Sequence, residues 1–270
     1  MGAPFALNAS LSRFFSSRWT DLAASRLHGE ARRDLERRGH RLEPPALGVF
    51  GRGTGPVRVG GVTVAQPDGV TCAATGLLLL NAACDPTLAA WLESGDRLPV
   101  VPPELAALST SELAEPDPAR RVALAAAAVH DRATRATIGP FRWPRRYGTP
   151  PWGVAREARV PGVRYRHRAV DDRDERVMDE VLDMLVSATS RGVPVPIYSG
   201  GDWSGGWQTA MPRHLVLALP TTRPDQLRIY EPGRGRIETI APHELRARTT
   251  PHRALGDWTH LAWTLIPVVR

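Results

Sequence analysis

The chain has 270 residues, enough for one large domain or for one domain with a substantial extension. Its hydrophobic content of 42% allows a sizeable core, and no apolar run approaches the length that a membrane-spanning helix needs. The formal charge is +7, but all 35 basic residues are arginines scattered among acids, as expected from a GC-rich bacterial genome, so a solvated surface is favoured over nucleic-acid binding.

The two cysteines, Cys72 and Cys84, are separated by a predicted helix. That helix would hold them about 18 Å apart, too far for a disulfide, so we expect two free thiols in a reducing compartment. The first residues show no basic segment followed by a long apolar run, which argues against a secretory signal and favours a cytoplasmic protein. No zinc-ligand spacing appears, so we expect neither a metal nor a cofactor.

The first half of the chain is predicted to be mainly helical. Residues 8–39 carry an apolar helical stripe, and residues 1–55 are interpreted as an N-terminal helical extension. Short β-type runs at 57–59 and 62–65 lead to a helix over 71–84 that is apolar nearly all round and therefore buried. A short helix over 87–92 is followed by a helical insertion at about 95–145, with a possible helix at 104–108 and an alanine-rich one at 118–138.

The second half is predicted to be mainly an antiparallel sheet. A helix begins at Pro151, with Thr149 as its cap, and an amphipathic helix covers 174–190 before a glycine stop. Strands are predicted at 163–170, 193–198, 214–219, 227–230, 236–240 and 261–268, with a short helix at 242–246. Helices first and strands second indicate an α+β fold.

Cys72 is the candidate nucleophile because it lies at a predicted helix N-terminus, where unpaired amides and the helix dipole favour a thiolate. Gln66, shortly before it, could donate one hydrogen bond to an oxyanion, and the Cys72 amide could donate the other. The alternatives are a small buried cysteine and a polar residue at the end of an edge strand. Cys84 has no such setting and is expected to be structural.

His214 begins an apolar strand and is the candidate base for the thiol. Glu231 ends the strand predicted to pair with it, so it could accept a hydrogen bond from Nδ1 and orient the ring. His260 is the competing base, and we favour His214 because a carboxylate follows it at a suitable interval. A core-edge histidine and a strand-terminal acid before a turn are the alternatives.

The loop over residues 200–206 leads directly into the His214 strand. Its glycines allow motion, and Asp202, Trp203 and Trp207 could contact a substrate. The loop is either such a flap or a surface loop whose tryptophans dock on the domain.

Together, Gln66, Cys72, His214 and Glu231-Pro232 resemble the papain-like superfamily, most closely its bacterial C39-like peptidase branch. That branch has a Gln shortly before Cys, a strand-borne His, and an Asp-Pro at a strand end, where this chain has Glu-Pro. The resemblance covers about residues 60–268 and implies a papain-like domain over 56–270, with a thiol mechanism.

The sequence therefore predicts a thiol-dependent amide or peptide hydrolase that acts on a peptide or protein. Acyl transfer through the same thioester is an alternative, because only the nucleophile that resolves the acyl-enzyme differs. A catalytically inactive peptide-binding or protein-binding module is another alternative, and a basic nucleic-acid binder is the least favoured.

Overall fold

The computed structural model describes residues 49–96, 100–137, 140–200, 214–246 and 250–269. Most of the predicted N-terminal extension therefore lies outside the described residues. So do Asp202, Trp203 and Trp207, the three residues of the predicted substrate flap.

A seven-stranded antiparallel sheet forms the centre of the fold. Its strands are β1 (Gly55–Pro56), β4 (Val163–Ala169), β5 (Val195–Gly200), β6 (His214–Leu219), β7 (Leu227–Glu231), β8 (Arg236–Ile240) and β9 (His260–Val269). They lie in the order β1-β8-β7-β6-β5-β9-β4, and a separate hairpin pairs β2 (Arg58–Val59) with β3 (Val62–Thr63). Strands β5, β6 and β7 are buried throughout.

Six α-helices accompany the sheet within the described residues. They are α1 (Cys72–Ala82), α2 (Pro86–Ser94), α3 (Thr110–Leu113), α4 (Pro118–Thr134), α5 (Pro151–Glu157) and α6 (Glu175–Ser190). Short 3-10 turns cover Arg145–Tyr147, Pro242–Leu245 and Arg253–Leu255. The chain is thus a mixed α/β protein with a large antiparallel sheet.

Helix α1 is buried at every residue and packs against strand β6. The contact is so close that a methyl group on Gly76 would lie 2.6 Å from Leu215 Cδ2. The first residue of α1 is Cys72, and the first residue of β6 is His214. This packing is therefore what brings the helix N-terminus near the start of the strand.

Two local predictions were wrong. Residues 104–108 form turns rather than a helix, because Glu104 is buried as an acceptor for Asn81 and Arg159. Thr149 does not cap α5, whose N-cap is Pro150 with no side-chain hydrogen bond. The hydroxyl of Thr149 instead lies 3.0 Å from His130 Nδ1.

In the part of the chain that the structure describes, no single helix is long and apolar enough to cross a membrane. Helices α1 and α2 are together long and apolar enough for a membrane span, but the chain bends by 114° between them.

Candidate active site

Cys72 lies at the N-terminus of α1 and is only 2% exposed. The loop before it is held by Asp68, whose Oδ1 accepts hydrogen bonds from Thr71 Oγ1 at 2.8 Å and from the Val70 amide at 3.0 Å. Arg145 Nη2 contacts the other oxygen of Asp68 at 3.0 Å. The loop before Cys72 is therefore held by hydrogen bonds within the loop and by an ion pair with Arg145.

The Cys72 thiol is in hydrogen-bond contact with the imidazole of His214. Burial opposes ionisation, but the hydrogen bond and charge of His214, with backbone N–H groups of Leu215 and Ala73, lower the thiol pKa below its ordinary value. The donated N–H groups and the positive charge stabilise the thiolate specifically. Cys72 is thus set for ionisation despite its buried position.

Glu231 holds the other side of the His214 ring. His214 Nε2 lies 2.6 Å from Glu231 Oε1, and both side chains are buried, with 11% and 1% exposed. We predicted that Nδ1 would face Glu231, and that prediction was wrong. The ring tip, Nε2, reaches the end of β7, which leaves Nδ1, nearer the strand backbone, for the thiol.

The carboxylate of Glu231 is itself surrounded by donors. Its Oε1 accepts from the Gly233 amide at 2.6 Å, and its Oε2 accepts from the Arg234 amide at 2.8 Å. Burial would raise the pKa of Glu231, but His214 and these two amides lower it. Glu231 is therefore an anion at neutral pH whose position the turn after β7 fixes.

The charges of the three side chains reinforce one another. Burial would lower the pKa of His214, but the hydrogen bonds and charges of Cys72 and Glu231 raise it to about 9. An imidazolium between a thiolate and a carboxylate is the arrangement that these directions describe. The three titratable groups act as one coupled unit.

Gln66 is placed beside this unit through its backbone. Its amide N–H donates to Pro232 O at 2.8 Å, which joins the loop before Cys72 to the turn after Glu231. Its side-chain Nε2 donates to Asp68 O at 2.7 Å, while Oε1 is buried without a hydrogen-bond partner among the described residues. One of the two Nε2 hydrogens is therefore already used within the loop.

His260, the competing base, lies in a different pair. Its Nδ1 is 3.0 Å from Asp172 Oδ2, and the same oxygen accepts the Leu261 amide at 3.0 Å. Sequence reasoning missed Asp172, which gives no signal beyond its place before the amphipathic helix. His260 thus has its own buried carboxylate, separate from Glu231.

The two cysteines have opposite environments. Both are free thiols, and burial raises the pKa of Cys84 to about 11. At neutral pH Cys84 is therefore protonated, whereas the surroundings of Cys72 favour the thiolate.

Sequence reasoning also missed two residues that contact the unit. Gly256 lies against the His214 ring, and Arg234 connects Glu231 to Asp257. Both residues belong to turns whose contacts are distant in sequence. The dipeptide Gly256-Asp257 predicts a turn and nothing more.

Among the described residues, no group of three or more His, Cys, Asp or Glu side chains could hold a metal ion. A scan against protein-family models, a search of curated proteins and a search of solved structures each gave no significant match.

Proposed function

We propose that this protein is a thiol-dependent amide or peptide hydrolase that uses Cys72, His214 and Glu231. One observation carries the proposal: a thiol with a lowered pKa contacts an imidazole whose other nitrogen lies 2.6 Å from a buried carboxylate. A nucleophile, a base and a group that orients the base are the parts that covalent acyl transfer needs.

A papain-like arrangement of these parts is the second element of the proposal. Its support is that the cysteine opens a buried helix, the histidine opens the strand packed against it, and the acid ends the next antiparallel strand. Two free thiols are consistent with a reducing, cytoplasmic setting.

In the proposed reaction the Cys72 thiolate attacks the substrate carbonyl carbon, forming a C–S bond and an oxyanion. His214 then gives its Nδ1 proton to the leaving amine as the C–N bond breaks, which leaves an acyl-enzyme. Water, deprotonated by His214, attacks the thioester carbonyl, and breakage of the C–S bond releases the acid and the thiolate. If another amine or alcohol attacks instead of water, the outcome is acyl transfer.

The oxyanion would be held by the Cys72 amide, one of the first N–H groups of α1, and by Gln66. Gln66 Nε2 has a second hydrogen beyond the one donated to Asp68 O. Removing one such donor costs about 10²–10³ in rate in a characterised protease, so Gln66→Ala should slow turnover with little effect on the thiol pKa.

A peptide-binding or protein-binding module without catalysis is the second candidate. The observation that favours it is the burial of the Cys72 side chain, because catalysis requires a substrate carbonyl to reach the sulfur. In that case the thiol, imidazole and carboxylate would serve as a buried polar network that fixes the core.

Labelling with a small thiol reagent and with a peptidyl epoxide tests the proposal. We expect the epoxide to modify wild type and Cys84→Ala once per chain, and to leave Cys72→Ala unmodified. Iodoacetamide should alkylate Cys72 rapidly at pH 6, where an ordinary thiol with a pKa of ~8.5 is under about 1% ionised. Equal epoxide labelling of wild type and Cys72→Ala would rule out Cys72. Iodoacetamide reaction without epoxide reaction would favour the binding module.

A further inference from the structure

A turn outside the proposed catalytic unit lies directly against its base. Gly256 follows the 3-10 turn Arg253–Leu255 and has a left-handed backbone, with φ of 68°. A methyl group there would lie 2.3 Å from His214 Cδ2, 2.5 Å from Nε2 and 3.1 Å from Cγ. These separations are far below van der Waals contact, so the imidazole rests on the bare backbone of Gly256.

We infer that Gly256 is a positioning residue, which sets the plane of the His214 ring so that one nitrogen meets Glu231 and the other meets Cys72. This inference rests on the proposed function of the site. Glu231 holds the tip of the ring through one hydrogen bond of 2.6 Å, and that contact by itself leaves the plane of the ring free to turn. A surface under the ring removes that freedom.

The turn that carries Gly256 is held firmly enough for this role. Ser199 Oγ donates to Leu255 O at 2.7 Å, and the Gly256 amide donates to Arg253 O at 3.1 Å. Ser199 is also the residue of β5 that pairs with His214, and its Oγ lies 3.3 Å from His214 O, so one residue of the sheet joins the His214 backbone to the turn beneath the ring.

Arg234 ties the same turn to the carboxylate. Its guanidinium lies 3.7 Å from Glu231 Oε2, donates to Arg253 O at 3.3 Å, and forms an ion pair with Asp257. Asp257 also has a left-handed backbone, with φ of 63°, which is uncommon for a residue other than glycine. The ion pair and the hydrogen bond from the Asp257 amide to His252 O at 3.0 Å hold that conformation.

Gly256→Ala tests the role, with Gly61→Ala as a matched control. Gly61 also has a left-handed backbone, with φ of 79°, but nothing lies within 4 Å of a methyl group there. Both variants therefore carry the same kind of backbone strain, and only Gly256→Ala displaces the imidazole.

The readout is the pH dependence of Cys72 alkylation by iodoacetamide, with Cys84→Ala as the background. We expect Gly256→Ala to react at least about tenfold more slowly than the wild type at pH 6 and to approach the wild-type rate only at alkaline pH, because a buried thiol without its imidazolium partner is mostly protonated at pH 6. Gly61→Ala should keep the wild-type profile. A wild-type profile in Gly256→Ala would overturn the inference, whereas failure of the peptidyl epoxide in the wild type would overturn the hydrolase proposal alone.

Thermal unfolding covers the case in which Gly256→Ala does not fold. If the clash is with the ring, His214→Ala removes the obstacle, and Gly256→Ala added to His214→Ala should lower Tm no more than Gly61→Ala does. If Gly256→Ala lowers Tm as much in the His214→Ala background as in the wild type, the glycine is needed only for its left-handed backbone conformation. The positioning role would then be rejected.

Discussion

Glu231→Gln keeps the shape of the side chain but removes the charge that orients His214. The carboxylate accepts hydrogen bonds on both oxygens, from His214 and Gly233 on one and from Arg234 on the other. A glutamine has one acceptor oxygen, so its NH₂ group must face at least one of these donors. The variant therefore loses a charge-assisted hydrogen bond and leaves a buried donor unsatisfied.

The stability that Glu231→Gln loses is bounded by two quantities. A hydrogen bond to a charged group contributes about 1.5–3 kcal/mol. The pKa of His214, about 9 against an ordinary 6.5, corresponds to about 3 kcal/mol in total, of which Cys72 supplies the larger share and Glu231 the rest. We therefore expect Glu231→Gln to lower the free energy of unfolding by about 1.5–3 kcal/mol and to lower the pKa of His214 from about 9.

Guanidinium denaturation measures the stability, and NMR titration of the His214 ring protons measures the pKa. A suitable control is Glu238→Gln, which removes an acid on β8 whose partner Arg236 lies 2.9 Å away, outside the unit. Glu238→Gln should change stability by no more than about 1 kcal/mol. A His214 pKa that stays at about 9 in Glu231→Gln would refute the reasoning.

Two further variants test how the stability depends on pH and how closely helices α4 and α5 pack. In the wild type the pKa of Cys72 is lower in the folded state than in the unfolded state, so its ionisation stabilises the fold as pH rises. The pKa of His214 is raised in the folded state, so the stability that its charge contributes is lost as pH rises from 6.5 to about 9. The two contributions offset each other. Cys72→Ala removes the first contribution and leaves only the part of the second that Glu231 supplies, so its free energy of unfolding should fall more steeply than that of the wild type above pH 6.5 in urea titrations. Parallel curves would contradict this. Gly153→Ala would place a methyl group 2.0 Å from Ala133 O, between α4 and α5, and should cost about 1–3 kcal/mol by the same method. Gly69→Ala, where a methyl group meets nothing within 4 Å, should change stability little.

Local sequence signals predicted several elements closely. Strand β6 covers His214–Leu219 and β8 covers Arg236–Ile240, as expected. Helix α6 begins at Glu175 with Asp174 as its N-cap, and Asp174 Oδ1 accepts the Val177 amide at 3.1 Å. These elements have caps or apolar runs within their own few residues, which is why the sequence specifies them.

Features that depend on distant partners were harder to predict. Strand β1, only two residues long, joins the main sheet by pairing with β8 from the far end of the chain. Glu104 looked helical from its neighbours, but a buried carboxylate must lie where its donors are, and those belong to α1 and to residue 159. Tertiary hydrogen bonding overrode local propensity in both places.

The candidate site shows the same division. The sequence led to Cys72, His214 and Glu231, which the structure places in contact, because each stands at the end of an element that is apolar enough to recognise. It led to the wrong ring nitrogen for the contact with Glu231, and it gave no indication of the glycine beneath the ring. Those details depend on the approach of a turn that only the folded chain defines.

Three hydrogen bonds of 2.8 Å join the segment before Cys72, residues 57–66, to residues 230–235 around the end of β7: Gln66 N–H to Pro232 O, Val57 N–H to Gly235 O, and Tyr230 Oη to Val64 O. On the ribosome, the cysteine is synthesised long before any of these later residues exists. Contacts that join such remote segments form late in folding. During translation the Cys72 thiol is therefore ordinary and protonated, and its pKa falls only after His214 and Leu215, in the last third of the chain, have been synthesised and have packed against it.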